Sequence, residues 1–337
     1  MRYGKLFLMA FLAAATAQTQ TVSKSTSSYF DDSESRDLEL QSILVTGEVQ
    51  NPGPVNLSQL PIRSIAVKEM ATENGKAVFK GAFFVNGYSL YDILNTTNFK
   101  KAPENTFSSP VDLYLIVEND KGKRAVFSWG EIFYRNGFDI LIAKTIQPIN
   151  PAKTKTSYSL PNAPKLICAG DLLDARYIDN PIKITVKSWR GAMPKDKPKD
   201  IYSPELSVIS QSGTFKIADI QPSVEKRIYT DVGYGHGMGF KGNENVTGYL
   251  LKELLTTNLK PVPEMLREWI AVGSAKDGYR VVYSLSEIIN RGDNQDFLLL
   301  DKKDTRSSGR YLLYPASDFF ADRDIRSVEK LELLRAE

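Results

Sequence analysis

Residues 87–98 read GYSLYDILNTTN, and residues 248–258 read GYLLKELLTTN. Two further blocks recur in the same order. Arg124 to Ile132 (RAVFSWGEI) returns as Arg280 to Ile288 (RVVYSLSEI), and Asp171 to Ile178 (DLLDARYI) returns as Asp318 to Ile325 (DFFADRDI). The spacing between copies is far longer than the ~20–50 residues of solenoid repeats, so each copy has the size of a domain. Leu90, Ile93 and Leu94 share one helical face, as do Leu251, Leu254 and Leu255. Ser89 with Asp92, Ser128 with Glu131 and Ser284 with Glu287 have capping-box spacing, which starts a short helix at each site. Gly137 and Gly292 are the expected stops of the last two.

Between these helices the pattern is strand-like. Leu113, Leu115 and Val117 alternate, and so does the run from Ile43 to Val49. Asn119 to Gly122, Lys276-Asp277-Gly278 and Asn51-Pro52-Gly53-Pro54 supply turns. Strands and short helices mix without regular βαβ alternation, which predicts an α+β class. The expected organisation is a signal peptide over 1–17, a flexible leader over 18–40, one copy over 41–190, a linker over 191–204 and a second copy over 205–337. The linker reading rests on the proline- and lysine-rich stretch from Arg190 to Pro204.

The chain has 337 residues, of which 42% are hydrophobic and 25% charged, values ordinary for a soluble globular protein. Lys plus Arg is 43 and Asp plus Glu is 40, leaving a formal charge of +3, too balanced for a dedicated nucleic-acid binder. Cys168 is the single cysteine, which excludes an internal disulfide, a multi-Cys zinc site and a Cys-ligated iron–sulfur cluster. His236 is the single histidine, which excludes any mechanism needing two imidazoles. Arg2 and Lys5 precede the apolar run Leu6 to Ala15, and Ala15-Thr16-Ala17 follows as a cleavage site. That pattern predicts an exported protein, periplasmic or secreted, with no membrane-spanning segment.

The ordered motifs resemble the sulfite-oxidase-type molybdopterin-binding domain. They run from Val45-Thr46-Gly47-Glu48-Val49 through the Asn-Pro turn to Gly87-Tyr88-Ser89-Leu90. The Arg-x-Val-Phe-Ser block follows, then Gly170-Asp171 before Arg176-Tyr177-Ile178. The resemblance covers most of 41–190 and, more weakly, 205–337. It implies an α+β domain with a mostly β core and a molybdenum–pterin cofactor whose metal is held by one Cys thiolate. In the family that cysteine lies shortly before the Gly-x-x-Leu motif. The corresponding places here hold Gly75 and His236, and Cys168 sits elsewhere. An imidazole is a different donor from the soft thiolate such a centre uses.

Two readings follow. One is a non-catalytic exported protein that binds a small anionic ligand or a protein partner, with no cofactor. The alternative is a molybdopterin-dependent oxidoreductase. For either, His236 between Gly235 and Gly237 is the candidate metal or ligand contact, because alternating glycines clear room and expose backbone donors. The plainer reading of the same stretch is a surface loop with an incidental histidine. Arg124 and Arg280, and Arg176 and Arg323, recur between the copies and are the candidate walls of an anion pocket. No Ser-His-Asp or paired-carboxylate signature points to a hydrolase.

Overall fold

The structure is a computed structural model, and it describes residues 33–135, 137–151, 153–191, 198, 200–302 and 309–337. The expected signal peptide, most of the leader and residues 192–197 and 199 of the linker lie outside the described residues.

The first half comprises β1 (Arg36–Asp37), β2 (Ser42–Gly47), β3 (Gly53–Asn56), β4 (Arg63–Glu73), β5 (Lys76–Ser89), α1 (Leu90–Asn95), β6 (Leu113–Asn119), β7 (Arg124–Ser128), α2 (Trp129–Phe133), β8 (Ile140–Pro148), β9 (Lys165–Cys168), β10 (Ile178–Asp179) and β11 (Pro181–Ser188). The second half comprises β12 (Leu206–Ser210), β13 (Gly213–Ile217), β14 (Lys226–Gly235), β15 (Gly239–Leu250), α3 (Leu251–Thr256), α4 (Pro263–Glu268), β16 (Trp269–Ala275), β17 (Arg280–Ser284), α5 (Leu285–Ile289), β18 (Phe297–Asp301), β19 (Tyr311–Pro315), β20 (Ile325–Arg326) and β21 (Val328–Arg335).

Strand order is the same in both halves. One sheet runs β3-β2-β11-β6-β7 and its counterpart β13-β12-β21-β16-β17. In each, an early strand of the half lies parallel to the last, β2 to β11 and β12 to β21. The other pair runs β10-β9-β8-β5-β4, with β1 added to β8, and β20-β19-β18-β15-β14. These four small sheets stand in a propeller-like arrangement, with 49% of the chain in strands and 14% in helix. The class is therefore mostly β, and the α+β expectation is corrected.

Two local causes account for the difference. α1, α2 and α5 begin at their serine caps as predicted, but every helix named here is only five or six residues long. α2 and α5 stop before Gly137 and Gly292, because the chain turns at once to bridge the opposite half, Arg135 to Asp318 and Arg291 to Asp171. The long hairpins β4–β5 and β14–β15 then add strand that the motif blocks did not cover. Asn74 and Gly75, with φ of 51° and 75°, turn the first. Such a pair suits the two-residue turns whose twist matches the flanking strands.

The halves are not separate globules. One buried cluster includes Leu57, Phe83, Leu90 and Phe127 from the first half with Leu251, Tyr283, Phe297 and Leu313 from the second. A smaller cluster joins Tyr114, Ile116, Val126 and Trp189 to Ile270, Val272, Val282 and Ala336, so two sheets pack face to face across the divide. No helix among the described residues is long and apolar enough to cross a membrane.

Candidate functional site

The recurring arginines lie at the junction between the halves. Ser128 caps α2 and Ser284 caps α5, each in a complete capping box with Glu131 or Glu287. Those glutamates are fully buried and turn their carboxylates to arginine. Arg176 donates to both oxygens of Glu131 at 2.9 Å, grips Asp171 at 2.7 and 2.8 Å, and reaches Ser284 Oγ of the other half at 3.1 Å. Arg323 does the reciprocal: it grips Asp318 at 2.6 and 2.7 Å, donates to Glu287 at 3.1 Å, and reaches Ser128 Oγ at 3.1 Å. Ser128 Oγ in turn donates to Glu287 at 2.6 Å.

The outer pair repeats the exchange. Arg124 donates to Glu268 at 3.2 Å, and Arg280 donates to Asp112 at 2.9 Å while its guanidinium lies over Phe107 and Trp189. All four arginines thus bond the half to which they do not belong. A buried guanidinium held by two carboxylates has little left for an external anion. Burial pushes Glu131 up to about 7, against the pull of Arg176 and with a push from Glu287 and Asp171. Burial acts on Glu287 in the same sense, but Arg323 and Ser128 overcome it and hold Glu287 below the usual carboxylate range.

His236 stands at the tip of the β14–β15 hairpin. Gly235 pairs with Gly239, and Gly239 has φ of +68°, so the glycine run is largely a tight hairpin turn. The imidazole is half-exposed, its Nδ1 lies 2.9 Å from Asp322 Oδ2, and its ring stacks on Phe320 at 3.8 Å. The edge of Tyr134, from the first half, is 5.7 Å away. Gly235 lies beside the Lys241 side chain, and a Cβ at Gly237 would meet nothing within 4 Å.

The place where the family resemblance implies a metal ligand is thus a hairpin tip in both halves, with Gly75 in one and His236 in the other. The only sulfur nucleophile, Cys168, is buried in β9, and burial pushes its thiol well up. Neither tip carries a thiolate, and the Nδ1 of the imidazole is engaged by Asp322. This donor set does not fit a molybdenum–pterin centre.

A feature the motifs did not mark lies beneath the same hairpin. β15 pairs with β18 only at Tyr249 and Leu250, so the rest of β14–β15 stands away from its sheet. A cleft of about 260 Å³ opens there. Its floor is Val246, Leu300 and Leu312, all buried, with Tyr314 beside them. Asp231, Lys241, Glu244, Lys302, Asp324 and Arg326 surround it. Burial pushes Asp324 up to about 8, with Asp318 and Asp231 adding to the effect and Lys241 and Arg326 opposing it. Burial likewise raises Tyr314, and its hydrogen bond to Asp231 adds to that.

The first half serves as an internal control. There Gly81 occupies the hairpin position equivalent to Gly242. A Cβ on Gly81 would lie 2.6 Å from Phe83 and 2.9 Å from Tyr158, which packs edge-on against Phe79 and Phe83. A Cβ on Gly242 would meet no described residue within 4 Å. Tyr158, on the connection from β8 to β9, closes over the first hairpin; on the second, no described residue lies at that point, and residues 303–308 of the equivalent connection from β18 to β19 lie outside the described residues.

A larger cavity, of about 640 Å³, opens at the rim between the halves beside Glu48, Tyr114, Trp189 and Leu334. Its Glu48 is already bonded by Ser188, Arg190 and the Ala102 N–H, so its polar lining is largely self-satisfied. No protein-family model matches the chain, and no curated protein matches it.

Proposed function

We propose that the chain is an exported, non-catalytic binding protein on a duplicated scaffold of the sulfite-oxidase-type molybdopterin domain, and that it holds a small ligand in the cleft under the second hairpin. The carrying observation is the cleft of about 260 Å³ beneath β14–β15, which exists because β15 pairs with β18 only at Tyr249 and Leu250. The groups that recur in both halves support the same reading. They are spent on the joint, which is a structural use.

Gly233 provides the test. It lines the cleft, and a Cβ there would make only ordinary contacts, the nearest at 3.4 Å to Lys241. Gly233→Phe should fill the cleft while improving the strand propensity of β14. A small-molecule fragment set screened by ligand-observed NMR should give hits on the parent that disappear in Gly233→Phe at unchanged melting temperature. An empty screen, or hits indifferent to the plug, removes the proposal.

A further inference from the structure

We infer that the outer edge of β14 takes up a second copy of this chain, the two β14 strands pairing antiparallel about a two-fold axis at Thr230. β14 ends its sheet, with β15 as its one strand neighbour among the described residues. Glu225, just before β14, accepts from the Leu250 N–H directly opposite at 2.9 Å, and this fixes the alternation of the ladder. Arg227, Tyr229 and Asp231 therefore turn their backbone groups to β15, while Ile228, Thr230 and Val232 turn theirs outward. The side chains of the latter three are exposed, Ile228 by 67% and Val232 by 60%. Such an edge is a template for another strand.

The first half shows how the same edge is guarded. Arg63 faces Gly87 as Arg227 faces Gly248, and both hairpins bulge at the matching step, after Glu69 and after Gly233. Ser64, Ala66 and Lys68 are thus the counterparts of Ile228, Thr230 and Val232. In β4 the apolar Ile65 and Val67 pack inward and the exposed face is Ser64, Ala66 and Lys68. In β14 the pattern is inverted: Tyr229 and Asp231 turn inward, and the β-branched residues face out. A lysine on an edge strand discourages pairing with another chain. Val232 stands where that lysine would be.

Self-complementarity names the occupant. With the axis at Thr230, Ile228 meets Val232 of the second copy on both sides of the axis, and Thr230 meets its own copy between them. Cross-strand pairs of these kinds stabilise a ladder. Asp231 then faces Tyr229, so no like charges are opposed. An axis one residue nearer the tip would set Asp231 against itself, and one residue nearer the root would set Lys226 against Val232. The pairing is isologous and closes, because the far edge of the enlarged sheet is β20, which is two residues long. A contact made by one edge strand is small against the ~1,200–2,000 Å² of stable interfaces, so the dimer forms and separates with concentration. Each copy folds by its own junction and does not need the other.

Sedimentation equilibrium over a concentration series should show a monomer–dimer equilibrium with a dissociation constant in the micromolar range. Val232→Lys gives β14 the residue its counterpart carries and should weaken the dimer at least tenfold. Thr247→Lys, on the exposed face of β15 one strand in from the edge, should leave it within twofold. Cys168 is buried, so an introduced thiol is the accessible one. Residues directly opposite in a hydrogen-bonded pair lie ~5.5 Å apart at Cα, within disulfide reach. Thr230→Cys should therefore cross-link to its own copy at least tenfold faster than Ile228→Cys, and equal rates overturn the axis at Thr230. A monomer throughout the series, or dimerisation indifferent to Val232→Lys, overturns the proposal. A monomer that binds phosphatidylcholine vesicles, with binding lost in Val232→Lys, overturns it in favour of a lipid surface. None of these outcomes bears on the cleft, which Ile228, Thr230 and Val232 do not line.

Discussion

Gly130 and Ser286 hold equivalent places in α2 and α5, and they differ by one side chain. A Cβ on Gly130 would lie 2.2 Å from Cδ of Arg323, whereas Ser286 Oγ donates to Asp171 at 3.3 Å. The guanidinium of Arg323 therefore reaches Ser128 by passing over a bare backbone. Gly130→Ala should displace a fully buried cation from its carboxylates and lower stability by about 2–4 kcal/mol, a magnitude between overpacking and breaking a buried ion pair. Ser286→Ala should cost less, about 1–2 kcal/mol, because the long bond to Asp171 and the one accepted from Asn290 at 3.0 Å are lost while both partners keep other bonds. Urea unfolding of the two variants measures the contrast, and equal effects would contradict it. At this scale the sequence was legible in part. Arg176 and Arg323 recur with Asp171 and Asp318 five residues before them, and Glu131 and Glu287 recur in the capping boxes. The partners of each arginine were thus present in the blocks that drew attention to it. A pairing across more than a hundred residues, however, leaves no local pattern, so an internal ion pair and an anion pocket look alike.

The hairpins are the elements on which the two halves diverge. β4–β5 carries Asn74-Gly75, a turn signal that identifies a hairpin when its flanks alternate. Ile65, Val67 and Met70 only partly alternate, because a bulge shifts the register between Glu69 and Met70. The β14–β15 hairpin was harder still, since its glycines resemble a ligand loop as much as a turn and a bulge falls between Gly233 and Tyr234. The short helices, in contrast, were readable from cap and apolar face alone: Ser128 and Ser284 do cap them, and Leu90, Ile93 and Leu94 are buried. Tyr158 is the element-level test of the internal control. Tyr158→Ala should uncover Gly81, lower stability by about 1–2 kcal/mol through the lost edge-on ring contacts, and give the first half a fragment site it did not have. Thermal melts and ligand-observed NMR report the two effects. A variant that loses stability without gaining a site would show that Phe79 and Phe83 close the space by themselves.

At the scale of the whole molecule, the junction governs behaviour. Buried apolar clusters and reciprocal arginines couple the halves, so calorimetry should record one unfolding transition; two resolved transitions would contradict this. The junction also sets a pH response. Glu131 has a folded pKa near 7, above its ordinary value of 4.5. The stability it contributes is therefore complete below that ordinary value and is lost as pH rises through about 7, with a slope of at most ~1.4 kcal/mol per pH unit. Glu131→Gln should flatten that part of the stability profile. Glu287, held low, acts in the opposite sense and in a different window, losing its contribution only as pH falls below the usual carboxylate range. The repeat announced that two similar units exist, but their mutual orientation depends on contacts between distant blocks.

Those contacts run in both directions. Arg176 meets Ser284 as Arg323 meets Ser128, and Asp171 bridges Arg291 as Asp318 bridges Arg135. Such reciprocity is the property of an isologous interface, in which each partner offers the other the same patch. Two free copies held this way would separate on dilution. Here one polypeptide supplies both partners, so their meeting is unimolecular and proceeds at an effective concentration on the order of millimolar for a short tether. The assembly consequently keeps the same stability at nanomolar as at micromolar protein, which is an advantage for any chain that works where dilution is extreme.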